Sequence, residues 1–127
     1  TSNFRAGVSA GVGITTGDFN VLLGDSAGTA VAAGSYNTAT GYQALTTNIS
    51  GMENSAYGFR ALDINTASYN NAFGSESLGA NVGGASNSAF GHSAGANNIS
   101  GAGSTFIGAT AGLFATTASY CTFKTYR

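Results

Sequence analysis

The chain has 127 residues, of which 20 are glycine and none is proline, while only 7% are charged and 11% are aromatic. This length allows one domain, and a net charge of −1 gives no attraction for nucleic acid or for an anionic membrane. No apolar run approaches the roughly 20 residues that a membrane-spanning helix needs. Cys121 is the single cysteine, which excludes an intrachain disulfide. The composition therefore predicts no nucleic-acid partner and no membrane insertion.

A phrase of about 17 residues recurs along the whole chain. The repetition is plainest where N-S-A-Y-G-F-R-A-L at 54–62 is followed by N-N-A-F-G-S-E-S-L at 70–78. One glycine in each copy, here called the mark glycine, fixes the phase. In chain order the mark glycines are Gly7, Gly24, Gly41, Gly58, Gly74, Gly91 and Gly108. They are 17 residues apart except for one step of 16, which places a deletion near Thr66–Ser68.

Each copy predicts one coil of a β-solenoid. Seventeen residues are too few for two packed helices, and each glycine disfavours a helix by about 1 kcal/mol relative to alanine. A short strand, a turn, a second strand and a second turn fit this length. The chain is therefore expected to be all-β, with seven coils over 1–118 that stack about 4.8 Å apart as a β-solenoid or parallel β-roll. The segment 119–127 is interpreted as a degenerate eighth repeat that serves as a cap or junction.

Stacked coils place equivalent residues above one another in columns. Asparagines four residues before the mark glycine are expected to bond amide to amide along the stack, as in cross-β structures. This structural ladder comprises Asn20, Asn37, Asn54, Asn70 and Asn87. The mark glycines are expected where φ is positive or another backbone comes close. An aromatic column immediately before them, Tyr57, Phe73 and Phe90, is expected to stack ring on ring.

A coil of this composition offers few large side chains for a core. In the copy 85–101, Phe90 and Ile99 are the large apolar residues expected to supply it. Three chains associated about one axis, intertwined or side by side, would bury their small-residue faces against one another. The preferred state is therefore a homotrimer, and a monomeric solenoid is the alternative.

The phrases N-T-A-T-G-Y-Q-A-L-T-T-N-I-S-G at 37–51 and N-S-A-Y-G-F-R-A-L at 54–62 resemble the repeats of phage and large-virus tail-fibre proteins. Those repeats often lie upstream of an intramolecular chaperone domain, which these 127 residues do not contain. More distantly, the phrases are similar to the head repeats of trimeric autotransporter adhesins, which build a parallel β-roll trimer. The resemblance implies a structural fibre or spike shaft of a virion, located on the virion or extracellularly, that supports attachment to a host.

The alternative function is a bacterial cell-surface adhesin or an extracellular filament subunit that polymerises head to tail. Under either reading the main partner is another copy of the chain, and a host receptor or glycan is a second class of partner. In the last copy, Lys124 and Arg127 would blunt an exposed strand edge. The aromatic residues expected to dock on a neighbouring molecule are Tyr120, Phe123 and Tyr126.

One motif has the form of a catalytic sequence. Gly91-His-Ser-Ala-Gly95 matches the G-x-S-x-G nucleophile elbow. His92 is the only histidine, however, and it adjoins Ser93, so the two side chains would point to opposite faces of an extended chain. The phrase also recurs in other copies, which favours a turn of the repeat. We predict no catalytic, cofactor-binding or metal-binding residue, no cofactor, and a protein that is not an enzyme.

Two surface patterns leave alternatives open. Asn48-Ile-Ser50 and Asn98-Ile-Ser100 match the glycosylation sequon, or are asparagines of a second ladder. A set of aromatic residues is expected either to form an exposed strip for carbohydrate or to pack at a trimer seam. Its members are Tyr36, Tyr42, Phe59 and Tyr69.

Overall fold

The computed structural model describes residues 2–125, which form eight parallel strands joined by turns and bends, with no helix among them. The strands are β1 (Phe4–Ala6), β2 (Val21–Leu23), β3 (Thr38–Thr40), β4 (Ser55–Tyr57), β5 (Asn71–Phe73), β6 (Ser88–Phe90), β7 (Thr105–Ile107) and β8 (Thr122–Lys124). They pair in sequence order into one eight-stranded sheet. The predicted all-β solenoid is confirmed, with about seven turns. The expected second strand of each coil is wrong: among the described residues each copy has one three-residue strand, and turns and bends form the rest of the coil. The expectations for Tyr126 and Arg127 lie outside the described residues.

Every strand pairs with the equivalent residues of the next copy. Ala39 lies beside Ala56, and Ala56 lies beside Ala72 on its other side. The strand register is unchanged across the 16-residue step, because the deletion lies in the turn between Asn65 and Ala67 and not in a strand. Eight strands at the usual spacing make a rod about 34 Å long.

The interior of the coil is narrow and is lined mainly by alanine and asparagine. In strands β2 to β7 the middle residue is fully buried and the two flanking residues face outward. Phe90 is the last residue of its strand and is 46% exposed, and Ile99 is 48% exposed. The expectation that these two residues supply the core of their coil is wrong, because strand alternation turns Phe90 away from the interior.

Large core side chains enter the interior mainly from two positions of the coil, and Val31 enters from a third, seven residues after its mark glycine. In three coils the strand centre is alanine, and a leucine four residues after the mark glycine fills the space; these leucines are Leu45, Leu62 and Leu78. In two other coils the strand centre is large, Leu22 or Phe106. There the turn position is glycine, and a Cβ on Gly28 would lie 2.6 Å from Leu22. In these coils a large side chain at one of the two positions is therefore matched by a small residue at the other.

This exchange forces leucine into an unusual backbone conformation. Leu45, Leu62 and Leu78 have φ angles of 56°, 50° and 48°, in the left-handed region. That conformation costs an L-residue about 1–2 kcal/mol. Full burial of a leucine side chain contributes about 1.5–3 kcal/mol. The free energy gained by burying the side chain offsets the cost of the left-handed backbone. Leucine is therefore tolerated where the local backbone favours glycine.

Candidate functional site

The first asparagine ladder lies inside the coil and ties each coil to the next. All five predicted members, from Asn20 to Asn87, have no exposed surface. The Oδ1 of Asn54 accepts the backbone N–H of Asn70 at 3.0 Å, and the Nδ2 of Asn54 donates to the carbonyl of Ala67 at 2.9 Å. The same Oδ1-to-backbone bond recurs between each member and the next. Within this ladder, direct amide-to-amide bonds occur between described residues only at Asn20–Asn3 and Asn54–Asn37, so the bonding differs from the expected ladder. The amides of Asn70 and Asn87 donate instead to asparagines of a second ladder.

A second buried ladder, seven residues after the mark glycine, does bond amide to amide. The Nδ2 of Asn81 donates to Asn65 at 3.0 Å, and the Nδ2 of Asn98 donates to Asn81 at 2.8 Å. Asn48 belongs to the same ladder, and both sequon asparagines, Asn48 and Asn98, have no exposed surface. In the folded coil the ladder therefore occupies the atoms that a glycan would need.

This second ladder ends on an unpaired atom. The Oδ1 of Asn98 is the one buried side-chain polar atom between residues 2 and 125 that has no hydrogen-bond partner. The equivalent residue in the next coil is Ala115, which carries no donor. A buried acceptor without a partner costs about 1–3 kcal/mol.

Ala115→Asn is expected to stabilise the fold by about 1 kcal/mol, because the new Nδ2 reaches the Oδ1 of Asn98 and continues the ladder. Urea unfolding at fixed protein concentration measures the change. Thr116→Asn, at the exposed next residue, is the control and should change stability by less than about 0.5 kcal/mol. Equal shifts in both variants would show that the gain does not come from the ladder.

The predicted aromatic column lies on the outer side of the sheet. Tyr57 and Phe73 stack with ring centroids 4.9 Å apart, and Phe73 and Phe90 stack at 5.2 Å, with nearly parallel planes. The three rings are 38–46% exposed. Since each ring is covered by its neighbour along the stack, the ring edges face solvent.

The four residues proposed as a carbohydrate strip do not form one surface. Tyr42 stacks on Phe59 at 5.8 Å, whereas Tyr36 stacks on Phe19 at 5.1 Å. Glu53 occupies the position between Tyr36 and Tyr69 in their column. Stacking along the axis covers ring faces, and a sugar packs against an aromatic ring through its open face.

We call the first and third residues of β1 to β8 the outer sheet face. Its third residues are Ala6, Leu23, Thr40, Tyr57, Phe73, Phe90, Ile107 and Lys124. Its first residues are Phe4, Val21, Thr38, Ser55, Asn71, Ser88, Thr105 and Thr122. Lys124 is the one charged residue in this set. Parallel sheets are usually covered on both faces, so this surface, which has a single charge and nothing packed on it among the described residues, is the candidate functional site.

In the last strand, Phe123 stacks on Phe106 at 5.0 Å and covers the end of the core. It therefore packs within its own chain, whereas Tyr120 is 87% exposed. Lys124 is exposed at the end of β8.

The nucleophile-elbow motif does not assemble a catalytic pair. Ser93 is 7% exposed, and its Oγ donates to Oε2 of Glu76 at 3.3 Å. His92 faces solvent and has no side-chain hydrogen bond among the described residues. Between residues 2 and 125 no three His, Cys, Asp or Glu side chains lie close enough to hold a metal ion.

Two charged groups are perturbed by their neighbours. The backbone N–H of Ser2 bonds the carboxylate of Asp18 and lowers its pKa. The side-chain bond to Asp63 raises the pKa of Arg60, and the two groups form an ion pair with Nη2 and Oδ2 2.7 Å apart.

The chain is a parallel β-solenoid whose outer sheet face carries one charged residue, Lys124. The chain matches no protein-family model, and no curated protein sequence or solved structure is significantly similar to it. Over residues 2–125 there is no helix of the length and apolarity needed to span a membrane.

Proposed function

We propose that the chain is a non-enzymatic structural shaft, of the kind found in a virion tail fibre or spike, whose copies associate through their outer sheet faces. The observation that carries the proposal is the unbroken register of eight strands beneath one face that carries a single charge, at Lys124. A shaft of this kind supports attachment to a host by holding a binding region at a distance. It acts on the virion or at an extracellular surface.

The rod is stiff because neighbouring coils are bonded at several points around their circumference. Backbone bonds join the strands, for example from Thr38 N–H to the Asn54 carbonyl at 2.8 Å. Turn bonds join the opposite side, for example from Leu45 N–H to the Ala61 carbonyl at 2.9 Å. The two asparagine ladders add further bonds through the interior. Bending the rod would stretch bonds on one side of every coil.

A second copy is the occupant that best fits the outer sheet face. The ridges of this face repeat with the spacing of the coils, about 4.8 Å. Another copy has the same spacing, so its side chains stay in phase along the whole rod. The face also carries few charges to desolvate, as is typical of the buried centre of an interface.

We expect a homotrimer, with three times the 12.5 kDa mass of the chain. Sedimentation equilibrium at micromolar concentration measures this mass. Phe73→Thr introduces the residue that Thr40 already provides at the equivalent position of another coil, so the coil should stay folded. The substitution should weaken association by at least tenfold. Such truncations of interface aromatics typically cost 1–2 kcal/mol or more.

Ile99→Thr is the control, because Ile99 is at least as exposed as Phe73 (48% against 38%) but lies away from the outer sheet face. It should leave the mass unchanged. A 12.5 kDa species of the unmodified chain at these concentrations would refute association through this face.

The alternative function is an adhesin or extracellular filament subunit that polymerises head to tail. The observation that favours it is that β1 and β8 are the two edge strands of the described sheet. Edge strands offer unpaired N–H and C=O groups to another chain. Negative-stain images of the purified chain separate the two proposals, since filaments of unlimited length favour the alternative.

A further inference from the structure

The repeat allows every residue to be compared with its equivalents in the other coils. Two positions after the mark glycine, Arg60 and Glu76 replace uncharged residues; the equivalents are Ser9, Ser26, Gln43, Ser93 and Thr110. Five positions after it, Asp63 is the one charged residue; the equivalents are Val12, Thr29, Thr46, Gly79, Ala96 and Leu113. Because these equivalents build the same coil without charge, the fold does not require the three charged side chains.

These three departures from the repeat meet in one cleft of about 260 Å³. The cleft exists because small residues, Gly79, Ala80 and Ala96, occupy two successive coils. The coil before them has Asp63 and Ile64 at the equivalent positions, and the coil after them has Leu113 and Phe114. The gap therefore spans about two coils, or about 10 Å along the axis.

The cleft combines fixed polar groups with an apolar floor. The guanidinium of Arg60 is held by Asp63, with Nε 2.8 Å and Nη2 2.7 Å from Oδ2. Oε2 of Glu76 accepts the hydroxyl of Ser93 at 3.3 Å, which orients this carboxylate. Asn97 lines the same cleft and donates to the carbonyl of Leu113 at 2.9 Å.

We propose that this cleft binds one hydroxyl-rich ring, a neutral or cationic monosaccharide unit. Planar side chains with paired donors and acceptors match adjacent hydroxyl groups, and Ile64, Ala80 and Ala96 offer C–H surface to the sugar ring. The volume is just below the roughly 300 Å³ at which drug-sized pockets begin, which suits a single ring. One arginine against two carboxylates leaves the lining negative, so an acidic sugar is repelled.

The cleft lies in the turns that follow the mark glycine and not on the outer sheet face. Sugar binding is therefore expected whether or not copies of the chain associate. It would give the shaft a lateral contact with a glycan, which the structural role alone does not include.

The test is a titration of the ¹⁵N-labelled chain with methyl α-glucoside, glucosamine and glucuronate, followed by amide chemical shifts. A single ring of 12 non-hydrogen atoms at about −0.3 kcal/mol per atom predicts a dissociation constant on the order of a few millimolar. The glucoside and glucosamine should give saturable shifts at Gly79 and Ala80. Glucuronate should bind at least tenfold more weakly.

Two variants locate the binding. Ala96→Thr introduces the residue that Thr46 already provides at the equivalent position of another coil. The larger side chain fills the cleft and should abolish the chemical-shift changes. Val12→Thr introduces threonine at the equivalent position of a coil outside the cleft and should leave the chemical-shift changes intact. Because the lining is negative, glucosamine should bind more tightly than the glucoside. Glu76→Gln, at a half-buried position, keeps an acceptor but removes the charge, so this preference should disappear.

Three results would overturn the proposal: no saturable shift with any of the three probes, unchanged binding in Ala96→Thr, or glucuronate binding as tightly as the glucoside. If Ala96→Thr does not fold, an unchanged preference in Glu76→Gln overturns it instead.

Discussion

Gly58→Val is expected to destabilise the solenoid by at least about 4 kcal/mol, a large part of the 5–15 kcal/mol that holds most domains folded. Gly58 has a φ of 133°, which side chains rarely adopt, and a Cβ there would lie 2.7 Å from the carbonyl carbon and oxygen of Gly74. The obstructing atoms are backbone, so they can move only if the coils separate. Thermal and urea unfolding followed by circular dichroism measure the loss.

Gly83→Val is the matched control. A Cβ at Gly83 meets nothing within 4 Å, and its φ is not in the positive range. We expect a change of less than about 1 kcal/mol. Arg60→Ala should also destabilise the fold less than Gly58→Val, because the Arg60 side chain is 44% exposed, although the substitution leaves the buried carboxylate of Asp63 without its partner. Equal losses in Gly58→Val and Gly83→Val would contradict the assignment of the mark glycines to close contacts between coils.

Asn54→Ala is expected to cost about 2–4 kcal/mol, the second large effect. The substitution leaves the backbone N–H of Asn70 without its 3.0 Å acceptor, whereas the carbonyl of Ala67 loses the amide of Asn54 but keeps that of Asn65 at 2.9 Å. Each unsatisfied buried group costs about 1–3 kcal/mol, and a cavity adds to this. Urea unfolding at fixed protein concentration gives the measurement.

Asn97→Ala is the control for this prediction. Asn97 is exposed, and its amide donates to Leu113 at 2.9 Å, so its loss should cost less than about 1 kcal/mol. A loss at Asn54 no larger than the loss at Asn97 would show that the buried ladder contributes little to stability.

Asn54→Asp tests the same site through pH. The carboxylate would face the Ala67 carbonyl, an acceptor to which it cannot donate, and burial would raise its pKa above the usual value of about 3.9. A carboxyl whose pKa is raised on folding destabilises the fold at higher pH, and the penalty is relieved as pH falls through the folded pKa. We therefore expect Asn54→Asp to be less stable than Asn54→Ala at pH 7, and to recover relative to it near pH 4.

The sequence predicted the coil and its phase well because both are local and repeated. A strand centre such as Ala56 is surrounded by the same residue types in the next coil, so one correct alignment places all the strands. The burial of Asn54 and its equivalents agrees with their fixed spacing. The charged cleft was not predicted, although its signal was present: Arg60, Asp63 and Glu76 interrupt columns that are otherwise uncharged.

The position of the large core side chains could not be read from the columns. Phe90 is apolar and periodic, which favours burial, yet it faces outward because it follows the buried strand centre Ala89. Leu62 stands where other coils have glycine, and the left-handed φ of 50° there would argue against leucine on local grounds. Only the packing of adjacent coils shows that this leucine fills the space left by Ala56.

By itself the sequence determined the period, the parallel stack and its register, since a repeat of 17 residues with fixed asparagines and glycines has few other ways to pair its backbone groups. Tertiary structure decided which apolar side chains fill the interior and which remain outside. The physical reason is that adjacent coils share one interior: the copy with Ala89 and Gly95 has no large side chain at either position, and the space beside Gly95 is filled by Leu78 and Phe106 of its neighbours. The choice between strand centre and turn at each level therefore depends on the volumes of the coils above and below, which no single copy of the repeat contains.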